Sequence, residues 1–258
     1  METDAKVLEE KAHEFLAQEK FEEAFKFFRD AALIYCGEKK HKQAALCFAA
    51  AAGCWNKKCG ESAFYHSALA YEQAAQQSEA CADFEYATLL YKYAAINYER
   101  DGEFADYSDC FYRSKECYRK FLNHLFISPK KIHHITRSAA ERGIKHRLKY
   151  FFAWVLLTFS CLVWGHGERP GRAFASAVSV ILLSAVFYTF GGLMKSAALF
   201  KPDLFDSLYF SVVTFTTLGY GDITVSGLLR IVVICEAFCG IFIMPLFIVA
   251  LSRKYLRV

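Results

Sequence analysis

Several kinds of chemistry have no foothold in these 258 residues. The ten cysteines (Cys36, Cys47, Cys54, Cys59, Cys81, Cys110, Cys117, Cys161, Cys235 and Cys239) form no CxxC pair, and neither His-rich spot has cysteines at zinc-finger spacing. Thiols scattered in this way are expected to stay free in a reducing cytosol. The opening METDAKVLEEK is charged and holds no apolar signal core, so no secretory leader is expected. There is no GxGxxG fingerprint, EF-hand loop, phosphate loop, metal signature or nucleophile–base set. An enzyme is therefore not expected, and neither is a cofactor. The net charge of +4 is modest, and no basic cluster coincides with an RNA- or DNA-binding motif, which argues against nucleic acid as a partner. No apolar span carries arginine at every third position, so a charge-bearing voltage-sensing helix is excluded too.

What is there divides between two unlike halves. Hydrophobic residues make up 55% overall, but the long apolar runs gather after Tyr150, while residues 1–127 alternate charges with Ala, Phe and Tyr. This first half repeats a frame: a small residue, an aromatic four on, and two small residues seven and eight on. Ala24/Phe28/Ala31-Ala32 is followed by Ala44/Phe48/Ala51-Ala52, Ser67/Tyr71/Ala74-Ala75, Ala87/Tyr91/Ala94-Ala95 and a degenerate Tyr107/Phe111/Ser114. These offsets share one helical face, so each copy predicts one amphipathic helix. Steps of about 20 residues predict antiparallel helix pairs stacked as an α-solenoid. Gly37, Gly60 and Gly102, the last with Asp101, are expected to break the helices.

The runs KFEEAFKFFRDAALIY and KQAALCFAAAA resemble the SNAP-type adaptors, a branch of the tetratricopeptide-like superfamily, over roughly Val7 to Leu122. The resemblance implies a cytoplasmic helical-repeat scaffold, with a protein or peptide as its partner. The aromatic faces read first as core between helices. A partner groove along Tyr98 to Tyr118 stays open as a second reading.

Residues 128–149 read as a basic linker helix between this domain and a membrane part, 150–258. Lys130, Lys131, Arg137, Arg142, Lys145, Arg147 and Lys149 face a single acid, Glu141. Such a segment beside an apolar run is expected against anionic lipid on the cytoplasmic side, with a solvated linker as the alternative. Three apolar stretches follow: Tyr150 to Trp164, Ala173 to Met194 and Leu228 to Leu251. The last two suit a span of about 20 residues. The first, 150–165, is short and reads as an interfacial or re-entrant helix turning at Gly165-His166-Gly167, with Trp154 and Trp164 at headgroup depth. That arrangement keeps the N-terminal domain and the basic C-terminus cytoplasmic in a multi-pass membrane protein. A full first span would put the solenoid outside.

Between the last two spans lies Thr217-Leu218-Gly219-Tyr220-Gly221-Asp222, preceded by the amphipathic Phe205 to Phe215. A dehydrated K⁺ needs oxygens in place of its water shell, and four copies of such a strand can provide backbone carbonyls. Turning successive carbonyls toward one axis demands backbone angles that a Cβ makes costly, and Gly219 and Gly221 remove that cost. Thr217 can add its hydroxyl. Leu218 and Tyr220 are expected to point away from the axis and wedge the strand against the preceding helix. Asp222 would cap the outer mouth and raise the local cation concentration.

From Asp206, DSLYFSVVTFTTLGYGD closely resembles the pore of two-transmembrane potassium channels of the inward-rectifier and bacterial type. The resemblance implies an all-α membrane domain with an outer helix over 173–194, a pore helix and selectivity filter over 203–222, and a pore-lining inner helix over 227–251. It implies K⁺ as the permeant ion, held at Thr217, Leu218, Gly219 and Tyr220, with Gly221 completing the filter. Family pore helices often carry a carboxylate behind the filter, where this chain has Val213. One filter strand per chain makes a homotetramer the expected working unit.

Two residues are candidates for bending the inner helix. Gly240 lies 21 residues after Gly219, one short of the family's hinge glycine, and serves either as hinge or as a point of close packing. Pro245 lacks an amide proton and is the second candidate. Glu236, an acid inside a predicted span, needs a partner. Ser211, Thr214 or Thr216 would let it brace the filter, with ion binding or pH sensing as the alternative. The whole chain implies a K⁺-selective channel gated or assembled through its helical-repeat domain. A membrane-tethered helical-repeat adaptor with a vestigial or non-selective cation pore is the other reading.

Overall fold

The computed structural model describes residues 2–58, 62–127, 144–195 and 198–255. The expectations for Cys59, Gly60 and residues 128–143, which hold most of the basic linker, lie outside them. The chain divides into two compact units, residues 1–158 and 159–257.

Six helices open the first unit: α1 (Glu2–Ala17), α2 (Phe21–Gly37), α3 (His41–Lys58), α4 (Ala63–Ala80), α5 (Phe84–Asp101) and α6 (Phe104–Ile127). Each packs on the next. The repeat frame makes the contact: every alanine of the frame from Ala24 to Ala95 is buried, as are Phe28, Phe48 and Tyr91, with Tyr71 partly buried. Alanine at the crossing lets helix axes approach closely, and the aromatic fills the groove beside it. Buried tyrosine hydroxyls meet acids on other helices. Tyr98 donates to Glu72 at 3.0 Å, and Tyr35 to Glu9 at 3.3 Å.

Four of the six helices, α1, α2, α4 and α5, end by one device. Glu19, Lys39, Ala82 and Gly102 are left-handed, with φ between 57° and 87°. At each, two crossed bonds close the last turn, as when Lys39 N–H donates to the Cys36 carbonyl and Lys40 N–H to that of Tyr35. Gly102 is the breaker expected from the sequence. Gly37 is not: it is the last residue of α2, and Lys39 makes the turn instead.

The C-terminal helices begin with α7 (Ile144–Trp164), which carries the boundary between the units. It starts earlier than the apolar pattern suggests, and Leu148–Gly167 gives 20 residues with mean hydropathy 1.5. The expectation of a helix too short to span is thereby corrected. The turn at Gly165-His166-Gly167 stands as expected, with His166 left-handed at φ 58°. After it come α8 (Pro170–Gly191), β1 (Leu193–Lys195), β2 (Ala198–Phe200), α9 (Leu204–Phe215), β3 (Ile223–Thr224) and α10 (Leu229–Tyr255). Pro170 opens α8, where its missing amide proton costs nothing. With α7, α8 and α10 are long and apolar enough to cross a membrane, with mean hydropathy 2.0 and 2.6. The short α9 packs against both α8 and α10. A small antiparallel sheet, ordered β2-β1-β3, was not legible in the sequence, because strands of two or three residues carry no periodicity.

Candidate functional site

The glycine-rich segment is held at both ends. Upstream, the Asp203 side chain caps α9 by accepting the Asp206 N–H at 2.7 Å, and Asp206 itself suits the positive first turn. At the other end of α9, Thr217 N–H donates to the Thr214 carbonyl and Leu218 N–H to that of Val213, both at 3.0 Å. This is the turn that ends helices in the first unit, with Thr217 at φ 60° in the left-handed place. A β-branched residue there carries strain of order 1–3 kcal/mol. Downstream, β3 pairs with β1 (Lys195 opposite Ile223, Met194 opposite Thr224), so the loop closes onto the strand that follows α8.

Between these anchors the backbone alternates in hand. Thr217, Gly219 and Gly221 have φ of 60°, 59° and 78°, while Leu218 and Tyr220 between them are not left-handed. Alternation of hand turns successive carbonyls toward the same side, unlike a β-strand, where they alternate. A Cβ on Gly219 or Gly221 would meet nothing within 4 Å, so glycine is needed there for its backbone angle rather than for space. Asp222 accepts a hydrogen bond from the Tyr209 hydroxyl at 3.0 Å, a partner that sequence reasoning missed.

One expectation fails within a single chain. Leu218 and Tyr220 do not wedge against α9; they are 61% and 67% exposed. A hollow of about 410 Å³ lies beside the segment, bounded by Val213, Thr214, Thr217, Gly219 and Ala237.

Glu236 on α10 is buried. It accepts from the Tyr188 hydroxyl of α8 at 2.5 Å and is hydrogen-bonded to Ser211 of α9. Ser211 was an expected partner; Tyr188, 48 residues upstream, was not. Thr216 turns instead to its own helix, donating to the Val212 carbonyl at 2.7 Å. Gly240 is a point of close packing: a Cβ there would fall 1.9 Å from the Phe215 carbonyl oxygen. The helix runs on through Pro245.

In the first unit, a surface cavity of about 670 Å³ is lined by α3 to α6, with Leu46, Leu89, Tyr118 and Phe121 among Lys42, Lys92, Asp83 and Glu85. Burial, and then the neighbouring Asp83 charge, push the Glu85 carboxyl above its ordinary range. The tyrosine-rich stretch is thus divided: Tyr98 belongs to the core and Tyr118 to the cavity.

Residues 175–257 match the family model described as an ion channel. No curated protein and no solved structure matches the chain. The matched stretch runs from the first turns of α8 through the glycine-rich segment to the end of α10, so this part is an ion-channel domain. With its three long apolar helices, the protein is a membrane protein of ion transport.

Proposed function

We propose that the chain is one subunit of a homotetrameric, potassium-selective channel that conducts K⁺ passively. The observation that carries this reading is the alternating backbone of Thr217, Gly219 and Gly221 in a segment anchored behind a short apolar helix, between α8 and α10. In the tetramer, carbonyls of Thr217, Leu218, Gly219 and Tyr220 replace the water shell of K⁺, Gly221 completes the filter, and Asp222 concentrates cations at the outer mouth. The chain has one such segment, so four chains are required around the axis. Leu218 and Tyr220, uncovered in one chain, are available to pack between copies. Gly219→Ala places a Cβ at φ 59°, strained by about 1–2 kcal/mol in each of four copies. K⁺ over Na⁺ selectivity should be lost while expression stays at the wild-type level. Selectivity retained in that variant would show that the filter lies elsewhere.

In this reading the N-terminal unit and the C-terminus are cytoplasmic. Although α7 is long and apolar enough to cross a membrane, keeping the N-terminal unit and the C-terminus on one side places it along the interface, and residues 130–149 meet anionic lipid. Maleimide labelling of Cys81 in sealed cells tests the topology, because reaction from outside would place the N-terminal unit extracellularly. The six helices act as a SNAP-like scaffold that gates or assembles the pore, and the cavity beside Leu46 and Leu89 offers a partner site. Removal of residues 1–123 should leave a tetrameric pore with altered gating. Loss of tetramers would make the unit an assembly domain. Unaltered assembly and gating would favour the adaptor reading.

A further inference from the structure

Glu236 lies in the middle of α10 at 2% exposure. An acid inside a membrane helix persists only with partners, and here they come from two other helices. Tyr188 of α8 donates to Oε2 at 2.5 Å. Ser211 of α9 bonds to Oε1, and its hydroxyl also lies 2.8 Å from the Ile181 carbonyl of α8. One carboxyl group therefore joins α8, α9 and α10. One turn further along, Gly240 brings the α10 backbone against the Phe215 carbonyl. The steps from 236 to 240 and from 211 to 215 are each about one helical turn, so α9 and α10 are clamped at two successive levels. The second level is two residues before Thr217. A further bond, from Thr189 of α8 to Ser207 at 2.9 Å, ties the start of α9.

We infer that Glu236 is a positioning residue for the filter: its carboxyl group fixes α9 against α8 and α10, and through the closing turn of α9 it sets where the carbonyls of Thr217 to Tyr220 point. The inference rests on the potassium-channel reading of that segment. An apolar side chain of similar length would leave the Tyr188 hydroxyl buried beside a surface that accepts nothing, and Ser211 would bond only the Ile181 carbonyl of α8, losing its tie to α10. Glutamine would keep an oxygen for Tyr188 and offer an N–H to Ser211, whose own proton then goes to Ile181. A helix clamped at 236 and 240 bends below those points, which assigns the hinge to Pro245 and the close packing to Gly240.

The test uses the full-length protein with Glu236→Leu, Glu236→Gln and the milder Tyr188→Phe. Two quantities are read: amide hydrogen exchange over residues 205–222, and the K⁺/Na⁺ permeability ratio from reversal potentials. Glu236→Leu should speed exchange over 212–222 about tenfold and lower the permeability ratio about fivefold, while α1 to α6 keep their wild-type exchange. Glu236→Gln should stay within about twofold of wild type in both, and Tyr188→Phe should fall between. Equal behaviour of the Leu and Gln variants, whether both intact or both damaged, would overturn the inference. So would an unaltered Tyr188→Phe if the Leu variant fails to fold. A wild type without K⁺ selectivity would sink the channel reading, and the exchange data would still decide whether Glu236 places α9.

Discussion

In the first unit the alanines and aromatics of the repeat frame close against one another within a single chain, whereas in the second Phe190, Phe205 and Leu228 are each at least 80% exposed. Both regions are helical, and both bring small residues to their closest crossings. They differ in where the apolar surface goes. The alanine-lined contacts from α1 to α6 complete a core from local, consecutive partners, so that unit needs only its own chain. In α8 and α10 only 22% and 17% of the membrane-length window is buried, and in the proposed channel lipid together with other copies would cover the rest. A side chain of the first unit can therefore be interpreted from its neighbours in the chain, while several of the second would acquire theirs only in the proposed tetramer.

Tyr91→Ala challenges the closed core of the first unit most severely. Tyr91 is fully buried, and its hydroxyl accepts from Arg113 at 3.2 Å. Its loss should cost about 3–5 kcal/mol. A fragment of residues 1–127 should fold without detergent and unfold cooperatively on heating, and Tyr91→Ala should abolish that transition. A loss below about 1 kcal/mol would mean that the six helices hold no closed core.

Gly240→Ala comes next, because its Cβ would collide with a backbone oxygen that cannot move aside. Overpacking of this kind costs about 1–3 kcal/mol per chain. The melting temperature of the detergent-solubilised protein should fall, with the 1–127 fragment unaffected. Gly53 in the middle of α3 has open space where its Cβ would be, so Gly53→Ala should instead stabilise the fragment by about 0.5–1 kcal/mol. The opposite exchange, Ala82→Gly, should also stabilise it by about 1 kcal/mol, since Ala82 is left-handed at φ 59°. Chemical denaturation reads both changes, and a destabilising Ala82→Gly would refute the account of the helix ends.

The smallest effects concern thiols. Burial pushes Cys47 and Cys117 up to about 12 and Cys54 to about 11. At pH 8 a maleimide should label the exposed Cys81 first and leave these three until the fragment unfolds. The sign for stability follows. Unfolded thiols release protons near their ordinary value of about 8.5, while the folded unit retains them, so stability falls as pH rises from there toward 11–12. Stability rising over that window would contradict the burial of these residues.

The repeat frame was legible because residues four, seven and eight apart share a helix face, and that face alone decides which alanines are buried. Helix ends were less legible, since the crossed-bond turn accepts Glu19, Lys39 and Ala82 as well as Gly102. In the pore region, the cap by Asp203 and the backbone role of Gly219 and Gly221 follow from local chemistry. The Tyr188–Glu236 bond and the pairing of β3 with β1 do not, because each joins distant parts of the chain with no pattern in between. Leu218 and Tyr220 show a third limit: both are exposed, and no surface for them to pack against exists in one chain.

The proposed K⁺-selective filter at residues 217–221 is tested most directly by the reversal potential of the purified full-length protein in a planar bilayer with K⁺ on one side and Na⁺ on the other. A K⁺-selective filter displaces the potential far toward the K⁺ equilibrium value. A potential near zero across conducting channels would contradict it.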